Sequence, residues 1–338
     1  MSAVAASGEE DTVLAIDDLR VHFRTPGGVV RAVDGVSYSV RKRETVGVVG
    51  ESGCGKSITA LSVMQLVSKS AGRQTSGKIG FRDEDLLTLD EEAMRRIRGR
   101  EIAMIFQDPM SSLNPVLTIG EQISEVLTCH KGMRSREARD FAISLLEQVR
   151  IADPKRRLGA YPFELSGGMR QRVMIAMALS CEPALLLADE PTTALDVTVQ
   201  AQILELLRES RARVGTSIVL VTHDLGVIAE AADRVVVMYA GRVVEEADVR
   251  HLFDDPRHPY TKGLMRSVAR EGAARHGDRL HEIPGNVPAF GNSAEGCAFR
   301  DRCSQALAIC RWERPPLANV GPHHKVACWA VSEGAGND

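Results

Sequence analysis

The sequence predicts an α/β protein whose core is a largely parallel β-sheet with helices on both faces. Three observations carry this. The segments Thr45–Val49, 184–188, 217–221 and 235–239 are unbroken apolar runs rich in branched side chains, as strands buried on both faces require. A helical stretch, 198–213, lies between two of them, and strands alternating with helices build parallel sheets. The first run leads directly into the glycine-rich segment 50–57, and helical composition follows it, so a strand–loop–helix unit is expected there.

Taken in order, 13–23 and 36–40 read as strands; in the second, Val36, Tyr38 and Val40 alternate with Ser37 and Ser39. Helix is expected over 58–68, after the glycine loop. Between 86 and 165 the pattern is mainly helical, and 91–100 and 135–149 combine charged faces with apolar residues three and four apart. Beyond about 255 the periodicity fades, proline, glycine and cysteine become frequent, and a boundary is set near 265. Aromatics are only 4% of the chain, yet both tryptophans, Trp312 and Trp329, lie beyond that boundary; residues 266–338 are therefore expected to form a separate unit.

Composition narrows the function classes. The 338 residues suffice for about two domains and a sizeable core. Against 42 Lys and Arg stand 45 Asp and Glu, a net charge of −3, which lacks the basic excess of a nucleic-acid binder. Mean hydropathy is −0.11, and no apolar run approaches the ~20 residues of a membrane helix. Residues 1–11 are small and acidic, unlike a signal peptide, so a flexible N-terminus over 1–12 and a cytosolic chain are expected. In that compartment the 7 cysteines stay reduced unless they hold a metal.

Gly50, Glu51, Ser52, Gly53, Cys54, Gly55, Lys56 and Ser57 fit the phosphate-binding loop. Glycines let successive backbone N–H groups point at the β- and γ-phosphates, and the helix that starts near Ile58 adds the positive end of its dipole. Lys56 supplies a point charge, and the Ser57 hydroxyl can ligate Mg²⁺. A second acidic site follows the run 185–188: Asp189 and Glu190 fall where strands of such sheets end. Asp189 would hold Mg²⁺ and Glu190 would polarise the attacking water. Ser166, Gly167 and Gly168 precede another helix and offer a hydroxyl and bare N–H groups, a second anion site on the same chain.

In these residues the chain resembles the ABC ATPases. Ser166–Gly168 resemble the signature motif, Gln107 the Q-loop glutamine, Asp196 (in Ala194-Leu195-Asp196) the D-loop, and His223 the switch histidine. The resemblance covers about 13–265 with every motif in family order. It implies a mixed-sheet, RecA-like P-loop core with a helical subdomain over about 86–165. It further implies two cassettes closing head to tail on two ATP molecules. Lys56, Ser57, Gln107, Asp189, Glu190 and His223 of one then face Ser166–Gly168 of the other, with Mg²⁺ on Ser57, Gln107 and Asp189. Phe23 is the candidate for stacking on adenine, although core packing accounts for it equally.

The segment 257–264, the long form 108–115 after Gln107 and the run 169–176 resemble the ATPase subunits of oligopeptide, dipeptide and nickel importers. That implies an ATP-hydrolysing importer subunit at the cytoplasmic membrane face. Its partners would be a second, non-identical ATPase chain, two permeases and an extracytoplasmic binding protein, with peptides as substrate and nickel as the alternative. A soluble ABC ATPase acting on nucleic acid, or a metal-sensing module, are the readings from other classes; the charge balance disfavours the first. Cys297, Cys303, Cys310 and Cys328 lack zinc-ribbon spacing, and some peptide-importer ATPases resemble this tail and carry a [4Fe–4S] cluster. Structural zinc or plain buried thiols are the alternatives. Trp312 and Trp329 are expected to shield two of these cysteines. Cys54, Cys129 and Cys181 are expected to serve as packing residues.

Overall fold

The computed structural model describes residues 11–68, 72–108, 112–193, 195–267, 283–285, 287 and 295–332. The expected flexible N-terminus lies outside the described residues up to residue 10, as do Ala194 and residues 109–111; Thr12 already opens a strand. The strands are β1 Thr12–Thr25, β2 Gly28–Arg41, β3 Thr45–Val49, β4 Arg73–Phe81, β5 Glu84–Asp85, β6 Ile102–Ile105, β7 Leu185–Asp189, β8 Ser217–Thr222, β9 Arg234–Tyr239, β10 Arg242–Asp248, β11 Ala318–Gly321 and β12 His324–Val326. The main helices are α1 Lys56–Val63, α2 Glu91–Ile97, α3 Ile119–Lys131, α4 Ser135–Gln148, α5 Gly167–Leu179, α6 Val197–Val214, α7 Leu225–Ala231, α8 Val249–Asp254 and α9 Pro259–Ser267. Among the described residues no helix is long and apolar enough to cross a membrane.

The described residues of Met1–Leu14, Val40–Glu44 and Phe81–Val221 form one compact unit, and those of Ala15–Ser39, Thr45–Gly80 and Thr222–Asp338 form another. In the first, β6, β7 and β8 run parallel, with Ala103 opposite Leu186 and Leu186 opposite Ile218. Every residue of β7 and β8 is buried, which is why these strands read as unbroken apolar runs. Helices α3 and α4 pack on each other and on α5. Their contacts bury Ile119, Ile123 and Leu127 on one helix and Ala138, Ala142 and Leu145 on the other, the spacing of an amphipathic stripe. Thr118 and Glu121 close a capping box at the start of α3, and Gly132, at φ 65°, ends it.

In the second unit β3 pairs with β9 in parallel, but the sheet then turns antiparallel: β10 pairs with β9, β12 with β10 and β11 with β12. The strand pattern alone suggests a largely parallel sheet; the parallel and antiparallel pairings together make the mixed sheet that the resemblance implies. The tail joins this sheet through β12: Glu245, Glu246 and Ala247 pair with Val326, Lys325 and His324. An unpaired edge strand is unstable in isolation, and the tail covers the edge of β10. Helix α1 stops at Val63, short of the expected residue 68, because Gln65 adopts φ 49°. Helix α9 carries the chain across residue 265.

An aromatic cluster fastens the tail. Phe299 meets Tyr239 edge-on at 5.2 Å and Tyr260 at 5.4 Å, with His258 at 5.8 Å. His258 Nδ1 accepts the Tyr260 N–H at 3.0 Å, and burial lowers its pKa to about 4. The unfolded chain therefore binds a proton near pH 6.5 that the folded chain refuses until about pH 4, so stability falls as pH drops through that window. The melting temperature should decline between pH 7 and 5, and His258→Gln should flatten that decline; an unchanged slope in the variant would exclude His258 as its source.

Candidate functional site

The predicted residues fall in both units. In the second, β3 is buried along its whole length and delivers the chain into the glycine loop. Gly50 has φ 153°, and a Cβ there would lie 2.2 Å from Met238 O. Gly55, at φ 103°, is the N-cap of α1, and its Cβ would lie 2.4 Å from Ala32 O. No side chain fits at either position, so the backbone alone lines the loop. Gly55→Ala is accordingly expected to lower stability by more than ~1 kcal/mol in thermal unfolding, since both φ and contact are incompatible.

Lys56 is buried and its Nζ donates to Gly50 O at 2.7 Å, Glu51 O at 3.1 Å and Cys54 Sγ at 3.7 Å. Cys54 is buried, and burial pushes its thiol up, against the nearby Lys56 charge. Ser52 and Gly53 are exposed, while Ser57 and Ile58 are half-buried in the first turn of α1, where backbone N–H groups lack intrahelical partners. Glu51 is held from far along the chain: its N–H donates to Tyr260 Oη at 2.8 Å, and Arg302 pairs with its carboxylate at 2.6 and 3.0 Å. Phe23 is half-buried near the end of β1. His223 is exposed directly after β8, and the next residue, Asp224, caps α7 through the Gly226 N–H at 2.8 Å.

In the first unit Asp189 ends β7 and is buried, and Glu190 follows at φ 49°, a left-handed conformation that costs a non-glycine residue ~1–3 kcal/mol. That turn is held by the Glu190 N–H donating to Val221 O at 2.8 Å. Glu190 Oε2 accepts from Gln107 Nε2 and from Thr193 Oγ1, both at 2.9 Å. Gln107 and Glu190, 83 positions apart, are thus brought together. A carboxylate with two fixed donors is oriented, as a general base must be.

Ser166 caps α5 by accepting the Met169 N–H at 3.4 Å, and Ser166 and Gly167 are exposed. A Cβ on Gly168 would lie 3.1 Å from Val199 Cγ1 on α6. Asp196 caps α6 through the Val199 N–H at 3.0 Å. From α5, buried Gln171 donates to Pro191 O at 2.7 Å. The helix behind Ser166–Gly168 is therefore tied to the residue after Glu190. Thr193, Gln171, Tyr260 and Arg302 were not foreseen. Thr193, three residues after Glu190, offers a local signal, and Tyr260 lies in the segment 257–264 singled out above; Arg302 offers none.

In the tail all four cysteines are free thiols, Cys310 and Cys328 buried and Cys297 and Cys303 half-buried. The Cys297 N–H donates to Cys310 O at 2.8 Å. Burial pushes the Cys297 thiol up to about 11, and the neighbouring Cys310, Cys328 and Cys303 add to it. Among the described residues, however, no three His, Cys, Asp or Glu side chains are arranged to hold a metal. Trp312 is 72% exposed and shields nothing, which corrects the expectation; an aromatic next to a cysteine in sequence need not turn toward it. Trp329 Nε1 donates to Glu313 O at 3.1 Å. Cys129 is exposed and Cys181 half-buried, so Cys129 is not a core residue.

Comparison with known proteins gives the family. The profile of the ABC transporter family matches residues 33–193, and that of the oligopeptide/dipeptide transporter C-terminal region matches 244–310. The probable peptide ABC transporter ATP-binding protein y4tR of Sinorhizobium fredii is 52% identical over 323 residues, 96% of each chain. The oligopeptide transport ATP-binding protein AppD of Bacillus subtilis is 51% identical over 323 residues, 95% of this chain and 98% of that one. Among solved structures, a dimeric ATP-binding cassette in a post-hydrolysis state with ADP and Pi is similar with a TM-score of 0.63 and 28% identity, over 70% of this chain and 99% of the cassette.

Proposed function

The chain belongs to the ABC transporter ATP-binding proteins, and we propose on that premise that it is the ATP-hydrolysing subunit of a peptide importer. The observation that carries this is identity of about half, over more than nine-tenths of the chain, to ATP-binding proteins named for peptide transport. Residues 13–265 form the nucleotide-binding domain, with its helical subdomain over about 86–165, and 266–338 the extension.

Lys56 and the backbone N–H groups of Gly53 to Ile58 bind the β- and γ-phosphates, and Phe23 stacks on adenine. Ser57, Gln107 and Asp189 would hold Mg²⁺, which would supply positive charge at the phosphates. Glu190 takes a proton from the attacking water as the bond to the γ-phosphorus forms and ADP leaves; Gln107 and Thr193, each 2.9 Å away, hold its carboxylate for that step. His223 donates to the γ-phosphate. Ser166 to Gly168, the first two exposed at the start of α5, bind the nucleotide of a second, non-identical ATPase subunit, and Asp196 faces that subunit. Two permeases at the cytoplasmic membrane face and an extracytoplasmic binding protein complete the importer.

In this reading Cys297, Cys303, Cys310 and Cys328 would hold a [4Fe–4S] cluster. The reading rests on the resemblance of this tail to cluster-bearing peptide-importer ATPases, with zinc as the alternative; the four thiols are free, and among the described residues no three such side chains are arranged to hold a metal. Protein purified anaerobically should be brown, with equal iron and sulfide, and Cys303→Ser should lose both. Colourless protein with one zinc overturns the cluster.

ATPase activity of the complex assembled with its own permeases and binding protein tests the function. Stimulation by short peptides and none by Ni²⁺ is expected. Stimulation by Ni²⁺ alone would overturn the peptide assignment.

A further inference from the structure

Every nitrogen of the Arg302 guanidinium has a partner. Nε donates to Pro284 O at 2.9 Å; Nη1 donates to Glu51 Oε2 at 2.6 Å and Tyr239 Oη at 3.4 Å; Nη2 donates to Glu51 Oε1 at 3.0 Å and Ile283 O at 3.2 Å. The side chain is only 6% exposed and lies over the rings of Tyr239 and Phe299 at 5.8 and 6.0 Å. Glu51, 251 positions away, is the second residue of the glycine loop. Its backbone N–H is held by Tyr260 Oη, and its carbonyl accepts from Lys56 Nζ at 3.1 Å. Three held groups on one residue leave it little freedom. A continuous chain of contacts therefore runs from the residue preceding Cys303, through Glu51, to the lysine that meets the phosphates.

We propose that Arg302 is a positioning residue for ATP: it fixes Glu51, and through Glu51 the placement of Lys56, so the cysteine-bearing segment is coupled to nucleotide affinity. This rests on the ATP-binding reading above. The bidentate fork is what matters, because only a planar guanidinium grips both carboxylate oxygens and still donates from Nε to a main-chain carbonyl. Coupling of this kind is reciprocal, so bound nucleotide in turn steadies the segment around Cys303.

The test uses the full chain and ATPγS binding by calorimetry. Arg302→Met should weaken binding about tenfold and Arg302→Lys by an intermediate amount, since a charged hydrogen-bonded pair of this kind is worth that order. Glu51→Gln should weaken binding comparably, and the double variant should be no weaker than either single one, because all remove one interaction. In steady-state hydrolysis, Arg302→Lys should raise KM for ATP and leave kcat within about twofold. A role limited to holding the tail would lower the melting temperature and leave ATPγS affinity unchanged in every variant; that pattern overturns the proposal. If Arg302→Met is insoluble, Arg302→Lys and Glu51→Gln carry the same comparison. Wild-type chain that binds no ATPγS overturns the ATP-binding reading and this inference with it, whereas wild-type binding matched by every variant overturns this inference alone.

Discussion

Glu190→Gln is expected to bind ATP with near-normal affinity and to hydrolyse it ~10²–10⁴-fold more slowly, the range assigned to a positioned general base. The substitution keeps the shape of the side chain. Its amide oxygen can still accept from Gln107 Nε2 and Thr193 Oγ1, which now sit 2.9 Å from Glu190 Oε2. What it loses is basicity. The loss should therefore appear in single-turnover rates and not in ATP binding. Glu190→Ala serves as the contrast: it removes the acceptor as well and leaves Gln107 without this partner. Hydrolysis by Glu190→Gln at the wild-type rate would remove Glu190 from the proton transfer and direct attention to His223.

Lys56→Ala should abolish useful ATP binding. Truncating one member of a buried, hydrogen-bonded charge pair costs about 2–5 kcal/mol, or ~30-fold or more in Kd. The effect has two sources. One is the lost ammonium at the phosphates. The other is the loop itself, because Gly50 O and Glu51 O lose the donor they now share. Lys56→Arg should restore little, since a planar fork cannot occupy the compact space between these two carbonyls. Equilibrium ATP binding measured beside thermal unfolding separates the two sources. Normal ATP affinity in Lys56→Ala would refute the phosphate-loop assignment.

Some of this molecule was legible because its signals are local. β3, β7, β8 and β9 are buried at every residue, and the sequence shows each as a run of apolar residues. β10 was hidden for the opposite reason. Its centre holds Glu245 and Glu246, which a hydrophobic pattern excludes from a core, yet both are buried. They are tolerated because Glu245 accepts the Arg257 and His258 N–H groups and lies 2.7 Å from His324 Nε2, while Glu246 pairs with Arg234 and Lys325. β4 was missed because most of Arg73–Phe81 is exposed and polar and its alternation is lost.

The sequence by itself determined the chemistry of the site: a glycine loop with Lys56 and Ser57, a strand ending in Asp189 and Glu190, a serine cap before two glycines, and four cysteines in one tail. Backbone geometry at a glycine, the period of a strand and the capping of a helix depend on neighbours within a few residues, so a linear reading captures them. The tertiary structure alone decided that Gln107 grips Glu190 across 83 positions, that β12 closes the edge beside β10, and that Arg302 holds Glu51 across 251. These pairings depend on where the chain returns after long connections, which no local pattern records. The physical reason is that a buried charge or an open strand edge must find a partner, and which residue supplies it is settled only when the chain is folded.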